Sequence, residues 1–432
     1  MRTVSILVVA ALAAVAGVAR AQDRVILNAD TKAKTGLYPI AIAPPVDSDK
    51  TAGKLVTDTL SFDLRVASWF KVLDPRSFLA GPAEGMTIDP PRWKDIGAFG
   101  VVKLRAIESG GSVTLQFKLY ELGRGAQAVL EREYKGKSDD TKRMTHQWAN
   151  ELVRYYTGEN GFAGSQLAFV QQKRRSKAIV ASELDGSSVR AVSNNASINI
   201  LPAWSPSGNV VAFTSYMRNN PDVYLWSATG GRPRRISSHP GMNTGASFSP
   251  DGSQLAVTLS KDGNAELYVI AVSDGRVVRR LTNNRAIDTS PAWSPDGREI
   301  AFVSNREGSP QIFVMNADGS GARRVSTIGG DNTTPAWSPK KGTRVLAYTA
   351  RDDASGRYDI ITLDLATSKL TRVTQNQGNN EEPAWSPNGR VLAFASTRAG
   401  GGIYLANADG TGEQIMVYRG VATAPDWSRA VP

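Results

Sequence analysis

One phrase is written over and over in this chain. Pro-Ala-Trp-Ser-Pro, followed by a glycine-bearing turn and an apolar run, begins at 202, 291, 335 and 383. A worn version stands at 246, and a stub, Pro-Asp-Trp-Ser, at 425. The aromatic anchors Trp204, Phe248, Trp293, Trp337, Trp385 and Trp427 lie 44, 45, 44, 48 and 42 residues apart. That period fits one four-stranded propeller blade. In the clearest copy, residues 291–293 read as a first strand and 294–297 as a turn, in which proline presets φ and glycine accepts a positive φ. Second, third and fourth strands follow near 298–305, 310–316 and 322–327. Second strands recur at 166, 210, 254, 299, 345 and 391, so the count is six blades. The first copy lacks its opening phrase, and the stub has almost nothing after it. Ring closure satisfies both: the C-terminal strand becomes the first strand of the first blade, which removes the open edges of a linear array.

Residues 1–21 carry Arg2, an apolar run and the small-x-small site Ala19-Arg20-Ala21, and read as a signal peptide with the mature chain starting at Gln22. No later stretch is apolar enough to span a bilayer, so the expectation is an exported chain that does not span the membrane. Residues 22–162 carry no repeat and read as an α/β domain. A helix is expected within 47–75, with Leu60, Leu64 and Ala67 or Trp69 as its apolar stripe. Strands are expected at 101–107 and at 112–121, where Val113, Leu115, Phe117 and Leu119 alternate, and residues 126–134 complete a hairpin. A second helix over 139–156 places Met144, Trp148 and Leu152 on one face. Residues 157–165 read as a linker. The fold class is therefore an α/β N-terminal domain (22–162) followed by an all-β six-bladed β-propeller (163–432) closed by the C-terminal strand.

The chain has no cysteine, which removes disulfides, thiol catalysis, iron–sulfur clusters and cysteine zinc sites. Its net charge is +11, but the bases are scattered; Arg234-Arg235, Arg279-Arg280 and Arg323-Arg324 fall at equivalent repeat positions. Nucleic-acid binding would need a clustered stripe with stacking aromatics, so these read as solvated strand ends. The two histidines, His146 and His239, fall in different domains. No nucleophile elbow, P-loop, zinc-protease motif or EF-hand loop is present. The recurring Asp-Gly pairs are turns. Asp251 and Asp296 are matched by Ser207, Lys340 and Asn388 in sister repeats, swaps that a turn tolerates and a required ligand does not. No catalytic residue, metal site or cofactor is expected.

The segments before each Pro-Ala-Trp vary in sequence and read as loops at the mouth of the central channel. Loops on a rigid scaffold are where function concentrates. A signal peptide, an α/β domain carrying Ser-Trp-Phe-Lys-Val-Leu-Asp-Pro (68–75) and a six-fold propeller repeat together resemble the TolB family of the Tol–Pal system. The resemblance covers essentially the whole chain. It implies a non-enzymatic periplasmic adaptor, monomeric on its own, that maintains outer-membrane integrity and envelope constriction at division. Its implied partners are the lipoprotein Pal, on one propeller face, and TolA, on the mature N-terminal segment. Mapped here, the Pal face is Asn199, Met242, Asn243, Thr244, Asp288, Thr289, Asn332, Thr333, Thr334, Asn380, Glu381 and Glu382. The TolA segment is Asp23, Arg24, Val25, Ile26 and Leu27. Met242 stands where enterobacterial relatives tend to carry a histidine, and residues 22–33 differ from their version.

A competing reading is a periplasmic propeller enzyme or glycan-binding protein acting on cell-wall fragments, with Glu381-Glu382 facing Asp288 or Asp331 as its acids. Adjacent glutamates on a strand point opposite ways and make a poor acid–base pair. A third is calcium capture by the same oxygens.

Overall fold

A computed structural model describes residues 36–78, 84–193 and 196–429. The expected signal peptide and the Asp23–Leu27 segment lie outside them.

The N-terminal part is a five-stranded sheet with two long helices on one face and a short one on the other. Its elements are β1 (Tyr38–Ile42), α1 (Lys50–Val66), β2 (Phe70–Val72), α2 (Pro90–Asp95), β3 (Gly100–Ser109), β4 (Ser112–Glu121), β5 (Ala128–Lys137) and α3 (Thr141–Thr157). Strand order is β2-β1-β3-β4-β5. Strands β2 and β3 run parallel to β1, and β3-β4-β5 form an antiparallel meander. The alternation of β4 buries Val113, Leu115, Phe117 and Leu119 against Leu60 and Leu64 of α1 and Met144, Trp148 and Leu152 of α3. The Phe117 and Trp148 rings stack 5.2 Å apart. The first helix is shorter than expected. It stops at Val66, Ser68 takes a left-handed φ of 62°, and Phe70–Val72 turns into an edge strand. A stripe of period 3.6 and a following half-buried strand both place Trp69 and Phe70 inside, so the apolar pattern alone runs past the break.

The remainder is six four-stranded sheets arranged as a closed ring. Blade one takes its inner strand from the C-terminus: Ala422–Trp427 pairs with Gln166–Gln172, followed by Lys177–Glu183 and Arg190–Ala191. The inner strands of blades two to six are Asn199–Trp204, Asn243–Phe248, Asp288–Trp293, Asn332–Trp337 and Asn380–Trp385. In blades two, three, four and six the turn is built as the repeat requires. In blade four, Ser294 Oγ donates to Asp296 Oδ1 at 2.6 Å and accepts the Glu299 N–H at 2.9 Å, while Gly297 takes φ +72°. Ser207 and Asn388 make the equivalent contact in their blades.

Several repeat arginines do more than solvate strand ends. Arg190, Arg234 and Arg279 reach the carbonyls of Ala228, Val272 and Ala317 in the next blade at 2.9, 2.9 and 3.3 Å. They clip the rim, and the basic excess is partly structural. Residues 157–165 are packed rather than open. Phe162 is buried edge-on to Trp427 (5.5 Å), and buried Ser165 accepts the Trp427 indole N–H at 2.8 Å.

The two parts meet on the face that carries the blade turns. Lys142 of α3 binds Glu183, Asp185 and Ser187 at 2.6, 2.8 and 2.8 Å. Arg65 meets Glu413 at 3.2 Å, and the Arg390 guanidinium lies 3.7 Å from the centre of the Trp69 ring. Among the described residues, the opposite face of the ring is uncovered.

Candidate partner-binding face

The segments expected as mouth loops are the first residues of the inner strands. In blade four the strand starts at Asp288, three residues before Pro291. This corrects the placement of five candidate residues. Asn199, Asn243, Asp288, Asn332 and Asn380 are fully buried, and each secures its blade. Asn332 Nδ2 and Ser326 Oγ both donate to Gln311 Oε1 at 2.7 Å. Asn380 and Thr374 likewise share Asp359 Oδ1, at 3.3 and 2.8 Å. Asp288 is paired with Arg306 at 3.0 Å, and Asn243 Oδ1 accepts from Ser237 Oγ at 2.7 Å. A polar side chain so enclosed needs partners; Asp288 finds its own within the blade, and the four asparagines find theirs in the preceding blade, so they tie neighbouring blades together. Their regular recurrence at the strand start fits this structural role.

Of the candidate residues after them, Thr334 and Glu382 line the channel. Thr244, Thr289, Thr333, Thr334, Glu381 and Glu382 are half-buried. A repeated strand irregularity aims Thr334 and Glu382. Leu201, Gly245, Ser290, Thr334, Glu382 and Ala424 all have φ between 47° and 64°, and the register of each blade shifts there. Proline follows in five of the six, at 202, 291, 335, 383 and 425. The inner edge faces the channel with no neighbouring strand, so a missing N–H costs no ladder bond there. The phrase Pro-Ala-Trp is therefore the signature of a bulged inner edge.

The channel is a cavity of about 220 Å³ lined by these bulges. Its charged groups gather where the ring closes. Glu382 accepts the Ala424 N–H of blade one, and Asp426 accepts the Trp204 N–H of blade two. Enclosure pushes the Asp426 carboxyl up to about 6, partly offset by the Trp204 N–H and the Arg429 charge. Enclosure also raises Glu382, with its bond from Ala424 N–H acting against the shift. Glu381 is raised by burial and by the charge of Asp331. Glu382 is committed to the ring joint and Asp288 to Arg306, while Asp331 lies near enough to Glu381 for its charge to act on it.

The accessible part of the mouth lies one residue earlier in each blade. Backbone bonds define the equivalence. The carbonyls of Ile198, Met242, Ile287, Asp331, Asn379 and Val421 accept the N–H of Tyr216, Ser260, Asn305, Arg351, Thr397 and Gln172, at 2.8 to 3.4 Å where the second strand ends. Four of these six residues are apolar and exposed: Val421 by 60 %, Ile198 by 44 %, Met242 by 38 % and Ile287 by 52 %. They belong to consecutive blades, one to four, and form an arc with exposed Tyr216 and Met217 beside it. Single exposed apolar side chains are ordinary on a surface; here four recur at the equivalent position of four consecutive blades. Of the candidate residues only Met242 lies in it. Ile198, Ile287 and Val421 were recoverable from the sequence as apolar residues placed one before the start of each buried strand.

The fold defines a two-domain propeller protein, one end of whose ring is left uncovered among the described residues. The chain belongs to the TolB family: the model of the TolB beta propeller domain matches residues 153–431, and that of the TolB amino-terminal domain residues 31–128. It is 37 % identical over 179 residues to the Tol-Pal system protein TolB of Anaeromyxobacter dehalogenans, covering 40 % of this chain and 41 % of that protein. It is 42 % identical over 161 residues to the same-named protein of Geobacter sulfurreducens, covering 37 % of each. The chain thus matches about two-fifths of the length of these curated relatives. The crystal structure of TolB from Acinetobacter baumannii superposes with a TM-score of 0.79 at 23 % identity, over 91 % of this chain and 96 % of that one, and so shares its fold.

Proposed function

We propose that the chain is a non-enzymatic periplasmic adaptor of the Tol–Pal system, which holds Pal on the propeller mouth and TolA on its mature N-terminal segment. The observation that carries the first half is the apolar arc of Val421, Ile198, Met242 and Ile287 on the end of the ring that the N-terminal domain leaves open. Thr244, Thr289, Thr333, Thr334, Glu381 and Glu382 form the polar part of that docking face. The second half rests on β2, the outer strand of the N-terminal sheet. A cleft of about 180 Å³ lies between β2 and blade six, lined by Leu37, Phe70, Val72, Leu405 and Ile415. The described chain begins at residue 36, and Leu37 lines this cleft. The segment holding Asp23–Leu27 docks there when free and adds as a strand to TolA when released, using main-chain hydrogen bonds. Residues 1–21 are the export signal that delivers the chain to the periplasm.

The test is a pull-down from detergent-solubilised envelope with the mature chain and a deletion of residues 22–33 side by side. The expected result is recovery of Pal by both and of TolA by the full-length bait alone. Recovery of neither partner by either bait overturns the adaptor reading and moves cell-wall fragments to the front as ligand.

A further inference from the structure

The hairpin joining the second and third strands of blade one reads Gln172-Lys173-Arg174-Arg175-Ser176-Lys177, four bases within five residues. It stands on the mouth face and is bracketed by two members of the apolar arc. Gln172 N–H donates to Val421 O at 3.0 Å, and Lys177 bridges to Ile198. Lys173, Arg174 and Arg175 are exposed, and no carboxylate of the described residues pairs with them. Elsewhere on the mouth several bases are paired, and exposed Arg218 and Arg285 stand singly rather than in a block. Lys261 meets Asp262 at 2.6 Å, Arg306 meets Asp288 at 3.0 Å and Arg372 meets Asp352 at 3.1 Å. Blade one thus presents an unbalanced block of positive charge directly against exposed apolar side chains.

We infer that this hairpin, with Val421 and Ile198, receives an acidic patch bordering an apolar centre on the protein that docks at the mouth. The inference rests on the mouth being a docking face and adds what its occupant must carry. Charge on the rim of an apolar contact steers the encounter and fixes its rotational register. A six-fold ring needs such a mark, since its backbone nearly repeats every blade. The occupant is a protein rather than an anionic bilayer. A flat anionic surface laid on this face would also meet Asp331 and the half-buried Glu381 on blades five and six, and their charge opposes it.

The experiment is association and dissociation kinetics with the soluble domain of Pal as probe, at about 0.05 M and about 0.5 M salt. Wild type is compared with Lys173→Ser/Arg174→Ser/Arg175→Ser and with Arg174→Glu/Arg175→Glu. All three side chains are exposed at a hairpin tip, and equal urea midpoints confirm folding. Neutralisation is expected to slow association about 10-fold at low salt and reversal more, with dissociation changed less than about 3-fold and the salt dependence flattened. Association and salt dependence equal to wild type overturn the inference and leave the docking reading standing. Absence of binding by wild type overturns both. Wild-type binding to phosphatidylglycerol vesicles that the triple variant loses, with Pal kinetics unchanged, assigns the hairpin to a membrane instead.

Discussion

Replacing Asp426 by asparagine is expected to stabilise the propeller at neutral pH. Asp426 stands at the position before an anchor tryptophan, where other blades have alanine (Ala203, Ala292, Ala336 and Ala384). Its carboxylate accepts the Trp204 N–H and so joins blade one to blade two at the closure. Enclosure in the channel raises this carboxyl from its ordinary 3.8 to about 6. Between those values the folded chain holds a proton that the unfolded chain has released. The stabilising contribution of this group is therefore complete below that window and is lost as pH rises through it. The interval corresponds to at most about 3 kcal/mol, and dielectric screening at the channel wall reduces it to about 1 kcal/mol. Asparagine keeps an acceptor for Trp204 and cannot ionise. Urea midpoints of wild type and Asp426→Asn from pH 4 to pH 8 test this. The variant is expected to gain about 1 kcal/mol at the neutral end, the two curves converging toward acid. A variant less stable at neutral pH, or offset equally at every pH, refutes the reasoning.

Three further outcomes follow from the packing. Trp427→Ala removes the indole that closes the ring against Phe162 and Ser165, and is expected to cost about 4 kcal/mol in urea unfolding, with Trp427→Phe nearer about 1 kcal/mol. Gly275 has φ +79°, and a Cβ there would sit 2.0 Å from the Ile236 carbonyl oxygen of the neighbouring blade. Gly275→Ala is therefore expected to cost more than about 2 kcal/mol, against about 1 kcal/mol for Gly263→Ala, where the added methyl meets nothing within 4 Å. His146 of α3 pairs with buried Asp63 of α1 at 2.7 Å. Burial pulls the imidazole down, but the hydrogen bond and charge of Asp63 outweigh it and raise its pKa. Its stabilisation is present below the unfolded value near 6.5 and lost as pH rises through the raised one. The urea midpoint of wild type is expected to fall relative to His146→Gln across that window.

The ring was legible because its signals are local and repeated six times. A turn needs Ser, Pro and Gly in order, an inner edge tolerates proline, and the stub at 425 has only one place to go. The alternating strand 112–121 and the stripe of Met144, Trp148 and Leu152 were equally plain, because one buried face imposes its period. Strand β1 was missed: it is central and paired on both sides, so its five residues show no alternation. The end of α1 was missed because Trp69 and Phe70 are buried on either reading. At the mouth, sequence variability pointed to the start of each inner strand but took in five side chains that lie in the core. A strand beginning cannot be told from a loop end without its ladder partners, and one residue of register moves a side chain from solvent to core. Asn332 and Asn380 lie inside for that reason, while Ile198, Ile287 and Val421 face out.

The most direct test of the adaptor account is calorimetric titration of the mature chain with the soluble domain of Pal, comparing wild type, Ile287→Glu at the mouth and Val278→Glu on the rim. Both substituted side chains are exposed, by 52 % and 38 %, so neither change disturbs the core. The account expects Ile287→Glu to weaken binding at least about 10-fold and Val278→Glu to leave it within about 2-fold. Equal affinity for all three, or a loss confined to Val278→Glu, contradicts the placement of the partner on the propeller mouth.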